Sequence, residues 1–474
     1  MFIDYSNHML QAFEEDKHIG GIMYENDTEK TEKFFYMISD ILKNRKKTVR
    51  GGSFGQYIRA HGYVMPAIVA VIDNYSSFRE KTDNKYESII WELSRDGAAF
   101  GIFLVISSGG FGSSEIQNKI ADNIRNVITL DMGDKLRYID LLRTSHIDIL
   151  PEQNRKGRGL VTADGTILEF QTAVCMEADD DYERSEKIKS ACEDMNLHFD
   201  GAGAAPVPEI PEKPTWFSLS ENPQFNEALE TGDLLPFAYE QKTASLYSID
   251  LSDTFCYAIS GKSRSGRTET LKVIAAAAAQ GNGDLCIIDS PDGQLKHFAA
   301  KLDSAYVSSR EELFDFAKEL AEIFKTRNRK KRELLESGAE DAEIYRKMCS
   351  ERRKWIFVSD FASFLETVYK SGEKIGSMAP FFENILEKGR LHNIYFVFDI
   401  NTDETVSMLS RKLYGTVSGY RTGVHLGGAL SNQKIFDCSS IPYVEQTKVY
   451  KPGVGMAFDA DGATKIVLPS SKGV

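Results

Sequence analysis

Cysteine is scarce in this 474-residue chain, and none of the six, at positions 175, 192, 256, 286, 349 and 438, falls in a CxxC pair. That spacing argues against a disulfide framework or a thiolate metal site and suits buried, reduced thiols. The eight histidines are likewise scattered without metal-ligand spacing. No run of about 18 apolar residues occurs, so no stretch reads as a membrane-spanning helix. An excess of positive charge is also missing. Lys and Arg number 57 against 70 Asp and Glu, a formal net charge of −13. A chain so charged repels a phosphodiester backbone as a whole, which speaks against duplex DNA as partner. What remains is ordinary globular composition, 42% hydrophobic, in a length that suits roughly two to four domains.

The same block order appears twice. Phe2-Ile3-Asp4 followed by Leu10-Gln11-Ala12-Phe13 matches Ile287-Ile288-Asp289 followed by Leu295-Lys296-His297-Phe298. An amphipathic helix with a basic end comes next, Phe34 to Lys47 in one copy and Leu313 to Arg332 in the other. Buried strands ending in Asp73 and Asp360 follow, and those two aspartates read as repeat-equivalent. Apolar strands 101–106 and 393–398 come after. Gly157-Arg158-Gly159-Leu160 with Asp164-Gly165, and Gly453-Val454-Gly455-Met456 with Asp461-Gly462, then signal closing hairpins. Continuous apolar strands alternating with helices predict α/β domains with mainly parallel sheets covered by helices.

Between an apolar run, 255–259, and a helix-like run from 269 to 279 lies Gly261-Lys262-Ser263-Arg264-Ser265-Gly266-Arg267-Thr268. Strand, glycine-bounded loop and helix is the layout of a phosphate-cradling P-loop, whose backbone N–H groups surround a polyphosphate. Arg267 stands where the loop usually carries Lys, and Thr268 stands where a hydroxyl holds magnesium. Nucleotide folds of this sort set the P-loop and a strand-end Asp on neighbouring strand ends.

In the first copy the equivalent glycine falls before Met1, so that copy lacks its P-loop strand and helix. The sequence thus reads as the C-terminal piece of a longer protein or the product of a gene that has lost its front. The predicted organisation is a truncated first domain over 1–199, a Pro/Gly-rich, solvent-exposed linker over 200–214 and a second domain over 215–474.

This ordered set of residues resembles the FtsK/SpoIIIE group of P-loop ATPases, and within it the ATPases of Firmicutes type VII secretion. The likeness is carried by Phe2-Ile3-Asp4-Tyr5, by Asn44-Arg45-Lys46-Lys47 with Gln56-Tyr57, by Ala70-Val71-Ile72-Asp73-Asn74-Tyr75, which looks like a Walker B strand, and by Gly157-Arg158-Gly159-Leu160. In the second copy it is carried by Leu234-Leu235-Pro236-Phe237-Ala238 and, most specifically, by Gly423 to Gly428 with Asn432 to Asp437. The resemblance implies two tandem RecA-like P-loop NTPase domains, the last two of three, with ATP and Mg2+ as cofactors. It further implies small helical secreted proteins and other secretion-system membrane components as partners, and assembly into a hexamer at the cytoplasmic face of the membrane.

The expected site has Gly261, Lys262, Ser263, Arg264, Ser265, Gly266, Arg267 and Thr268 binding nucleotide, Thr268 and Asp360 holding magnesium, and Asp360 and Asp73 as the catalytic carboxylates. Its equipment is degenerate. A planar guanidinium does not replace a compact ammonium. Phe361 follows Asp360 where many relatives carry Glu, and Asn74 follows Asp73, able to orient water but not to take its proton. Asp4, Asp289, Arg95, Ser107, Ser108, Asp399 and His425 have structural readings beside functional ones, and Arg327 to Arg332 reads as the solvated end of a helix. The expected function is ATP binding, weak or tight, with degenerate or weak hydrolysis, within a secretion ATPase that helps recruit or translocate small helical secreted proteins; the alternative is an ATP-driven DNA translocase.

Overall fold

The apolar runs become parallel β-ladders in two separate units. A computed structural model describes residues 1–110, 112 and 115–474. It divides the chain into Met1–Glu209 and Ile210–Val474, a division that falls inside the Pro/Gly-rich segment 200–214. That segment is not wholly solvent-exposed. Val207 is 3% exposed and its N–H donates to Gly20 O at 2.9 Å, so an apolar residue anchors the stretch onto unit 1.

In unit 1, strands β1 (Phe2–Asp4), β2 (Ile22–Met23), β3 (Ile68–Asp73) and β4 (Ile102–Ile106) form a parallel sheet in the order β2-β1-β3-β4. Strands β5 (Ile128–Thr129), β6 (Arg158–Ala163) and β7 (Thr166–Gln171) form a separate antiparallel sheet. Helix α1 (Thr28–Thr48) buries Phe34, Ile38 and Leu42, a stripe at helical spacing, against this core. The β6–β7 turn places Asp164 and Gly165 at positive φ, the pairing a two-residue hairpin requires.

In unit 2, β8 (Leu234–Glu240), β9 (Leu246–Asp250), β10 (Cys256–Gly261), β11 (Asp284–Ile288), β12 (Ala305–Val307), β13 (Lys354–Val358), β14 (Ile394–Asn401), β15 (Gly423–Leu426), β16 (Val454–Asp459) and β17 (Gly462–Val467) make one sheet. Its order is β12-β11-β13-β14-β10-β15-β16-β17-β8-β9, parallel from β12 to β15 and antiparallel beyond. Helix α2 (Arg267–Gln280) follows β10. Its Ala275–Ala278 run is buried on every side, because small side chains let it sit close against the sheet. The β16–β17 turn does not use Asp461-Gly462 as a primed-turn pair. Instead Asp459 Oδ1 accepts the N–H groups of Asp461 and Gly462 at 3.0 and 3.1 Å, an Asx-type turn.

Two buried arginines reveal the repeat most directly. Arg45 of α1 donates to the carbonyls of Phe100, Gly101 and Pro66, and Arg327, on helix α3 (Arg310–Glu336), donates to those of His392, Asn393 and Arg352. Each guanidinium satisfies the backbone just ahead of two adjacent strands. Arg327 is 8% exposed, so the basic run it begins is not simply a solvated helix end.

Candidate functional site

The loop after β10 is shaped by two backbone demands. Arg264 and Gly266 both have positive φ, +63° and +97°, so successive N–H groups turn inward, and Gly266 leads into α2. Gly261 lies so close to β15 that a Cβ there would meet Leu426 O at 2.3 Å. Ser265 Oγ is buried without a hydrogen-bond partner. A glycine-tight, N–H-lined loop at a helix N-terminus with an orphaned buried hydroxyl fits a polyphosphate in shape.

The cation at its key position is already engaged. Arg267 does not extend over the loop: its Nη1 donates to Asp399 Oδ1, and its Nε to Lys262 O at 3.3 Å. Asp399 is 2% exposed, on β14 directly beside the P-loop strand. Burial pushes its carboxyl up to about 7; Arg267 pulls in the opposite direction, and the negative charge of Asp360 adds to the rise. Thr268 Oγ1 lies 3.5 Å from Asp399 Oδ2. Asp403, after β14, accepts the N–H of Ser263 at 3.2 Å, and Asn401 Nδ2 donates to Ser263 Oγ at 3.4 Å. Two carboxylates of the chain thus hold groups that a phosphate would otherwise recruit.

Asp360 caps helix α4 (Phe361–Tyr369) by accepting the N–H of Ser363 at 3.1 Å. It follows β13, and β14 separates β13 from β10. The P-loop and this aspartate therefore sit on next-but-one strand ends rather than on neighbouring ones, with Asp399 on the strand between. Asp360 also lines a cleft of about 240 Å³ with Asp289, Ser308, Arg310, Ser363 and Lys370. Among the described residues no group of three or more His, Cys, Asp or Glu is poised to hold a metal. Magnesium at phosphate sites asks for less, one or two protein oxygens beside those of the phosphates, so Thr268 and Asp360 suffice in kind.

Asp289 and Asp4 shape loops. Leu295 N–H donates to Asp289 and Leu10 N–H donates to Asp4, at 2.7 and 3.2 Å and the same sequence separation. Asp289 also accepts from Ser359, Tyr306 and Ser290. The registers then correct the pairing of the copies. Ile3 faces Ile72 and Ile288 faces Val358, which makes Asp73 the counterpart of Ser359 and Asn74 that of Asp360. Asn74 and Asp360 are both N-caps, accepting from Ser77 and Ser363. The two strand-end aspartates therefore occupy adjacent, not equivalent, places. Asp73 accepts from the hydroxyls of Ser6 and Ser107.

The other candidates settle into structural roles. Arg95 stacks on Trp91 and pairs with its neighbour Asp96. Ser108 shares a hydrogen bond with Ser76 at 2.8 Å. His425 is buried, its pKa lowered to about 4 by burial, with Nδ1 3.4 Å from Ser260 Oγ. Asp403 and Asn401 were not singled out by sequence. Their signal is a polar side chain at every second position, Asp399, Asn401 and Asp403, where β14 leaves the core.

No protein-family model matches the chain. It is 23% identical over 331 residues to the ESX secretion system protein YukB of Bacillus subtilis, covering 68% of this chain and 21% of that protein. It is 23% identical over 255 residues to the type VII secretion system protein EssC of Staphylococcus aureus, covering 53% of this chain and 17% of that one. The chain therefore spans well under half the length of these curated relatives. Its fold matches ATPases 2 and 3 of Geobacillus thermodenitrificans EssC with a TM-score of 0.75 at 18% identity, over 99% of this chain and 85% of that one. ATPases 2 and 3 of Thermomonospora curvata EccC, solved with a signal sequence peptide, match with a TM-score of 0.56 at 18% identity, over 99% and 82%. By sequence and by fold, then, the chain is similar to the type VII secretion ATPases, with the fold of their tandem ATPase domains 2 and 3, and among the described residues unit 1 shows no strand equivalent to β10.

Proposed function

We propose that this chain acts as ATPase-domain machinery of a type VII secretion protein, with unit 2 binding Mg-ATP weakly, turning it over little, and helping to recruit small helical secreted proteins at the cytoplasmic face of the membrane. The observation that carries this reading is the Arg267–Asp399 pair. The cation at the loop's key position is held by a buried carboxylate in a cradle whose backbone shape is intact.

The chain's residues divide the work as follows. Loop N–H groups from Ser263 to Thr268 would bind phosphate oxygens, and Thr268 Oγ1 and the Asp360 carboxylate would hold the metal. Magnesium, when bound, neutralises charge on the phosphates. No carboxylate follows Asp360 to take a proton from water; Phe361 there is 1% exposed and packs on Phe398. Recruitment is supported by the T. curvata relative solved with a signal sequence peptide. Hexamerisation and docking to membrane components are carried from the same resemblance.

Calorimetric titration of the full chain with Mg-ATP tests the binding half. A dissociation constant in the high micromolar range, weakened by Thr268→Ala, is the expected result. No heat at millimolar nucleotide would leave an empty scaffold. Hydrolysis stimulated by duplex DNA and lost with rising salt would favour a DNA motor instead.

A further inference from the structure

The loop between β10 and α2 carries three cations, Lys262, Arg264 and Arg267. Arg267 is tied at two points. Its Nη1 donates to Asp399 Oδ1, and its Nε donates to the carbonyl of Lys262 at 3.3 Å. That carbonyl also accepts the N–H of Ser265, at 3.2 Å. The guanidinium therefore braces the backbone of Lys262, with the buried Asp399 as its anchor.

Lys262 keeps its own charge free. It is exposed, and among the described residues its ammonium has no ion pair and no hydrogen bond. Its stem nevertheless has a defined course. A Cβ placed on Gly428 would come within 3.4 Å of Lys262 Cε, 3.6 Å of Cδ and 3.7 Å of Cγ. The neighbouring Gly427 lies against Ser265, whose Cβ an added Cβ would meet at 2.9 Å. Both glycines have positive φ, +60° and +79°, so the chain leaving β15 turns beside the loop with no side chain in the way. The lysine methylenes run along this bare backbone and leave the ammonium in water at the edge of the loop. Arg264 is exposed too, at φ +63°, and among the described residues has no ion pair or side-chain hydrogen bond. The brace from Arg267, however, holds Lys262 and not Arg264.

We propose that Lys262 is the phosphate-neutralising cation of this loop, taking over the work of the Lys that a P-loop usually carries where Arg267 stands, and that Arg267 is the positioning residue that presents it. The inference rests on the reading of unit 2 as a Mg-ATP site and adds to it the source of the positive charge. An ammonium on a flexible stem swings to a phosphate as a point charge, whereas a guanidinium held through its fork by Asp399 must first break that pair. The ligand it selects is a polyphosphate, because each phosphate beyond the first adds charge for the ammonium to meet.

The test is calorimetric titration of the full chain with Mg-ATP and with AMP. Lys262→Met keeps an apolar stem on Gly428 and removes the charge. It should weaken Mg-ATP at least about tenfold, more than Arg264→Met does, with a smaller effect on AMP. Acetylation of lysine amines, read by mass spectrometry, should slow at Lys262 at least about fivefold under saturating Mg-ATP. Lys325 on α3, 67% exposed, serves as the unprotected reference. Equal Mg-ATP affinity in the wild-type chain and Lys262→Met overturns the assignment and leaves the nucleotide site standing. So does a larger loss in Arg264→Met, which would move the role to that residue. No heat from the wild-type chain at millimolar nucleotide means instead that the nucleotide reading itself has failed, and the assignment with it.

Discussion

Arg267 and Asp399 meet at the head of the β10–β14 ladder: the guanidinium that opens helix α2 donates to a carboxylate withdrawn from solvent. The pair ties the loop to the adjacent strand and takes out of play the cation at the position where a P-loop usually carries Lys.

Removing Arg267 should therefore hurt stability in a pH-dependent way. Arg267→Ala leaves Asp399 buried and unpaired, at a cost of about 2–3 kcal/mol where the carboxylate is ionised, and less where it takes up a proton. Urea unfolding at pH 8.5 and at pH 6 should show the larger loss at the higher pH. Arg267→Lys, with a compact ammonium, should instead tighten Mg-ATP about tenfold, because one point charge no longer locks the fork onto Asp399.

Asp399 itself sets a pH window. Its folded pKa is raised from 3.8 to about 7, so the stability it contributes is complete below 3.8 and gone once the pH has risen through about 7. The slope is about 1.4 kcal/mol per pH unit across that window. His392 and His425 act in the opposite sense. Burial lowers each to about 4 from 6.5, so their contribution is present above 6.5 and lost as the pH falls toward 4. Stability should peak near pH 6.5. Asp399→Asn should remove the decline on the alkaline side, and His425→Gln should shallow the acid limb.

The twin arginines predict twin defects. Arg45→Met and Arg327→Met each strand three carbonyls ahead of paired strands, and each should cost about 3 kcal/mol. Hydrogen exchange should place the first loss in unit 1 and the second in unit 2.

Asp403 holds the Ser263 N–H and sets a negative charge beside the loop. Asp403→Asn should tighten Mg-ATP about tenfold by calorimetry, with the change shrinking at high salt. An unchanged affinity would mean that the hydrogen bond gives way to nucleotide without cost.

The α/β class and the duplicated order were legible because each apolar run was long, bounded by turn residues and repeated. The P-loop was legible from two glycines at loop spacing. The pairing of Asp73 with Asp360 was not, since letters align where ladders do not: one-residue register is fixed by strand contacts, which put Asn74 opposite Asp360. Ser77 with Ser363 and Phe78 with Phe364 follow the same corrected offset, and that match was open to reading. Arg327 deceived for another reason. A basic run reads as solvated unless the carbonyls it satisfies are known, and those come from strands 25 to 66 residues away.

Unit 2 has the backbone shape of a nucleotide site, and Phe361 rather than a carboxylate follows Asp360. Steady-state phosphate release by the full chain at saturating Mg-ATP measures the hydrolysis that such a site supports. Turnover is expected far below about 1 per second, with Asp360→Ala changing it less than about twofold. Turnover near or above that rate, abolished by Asp360→Ala, would contradict that expectation.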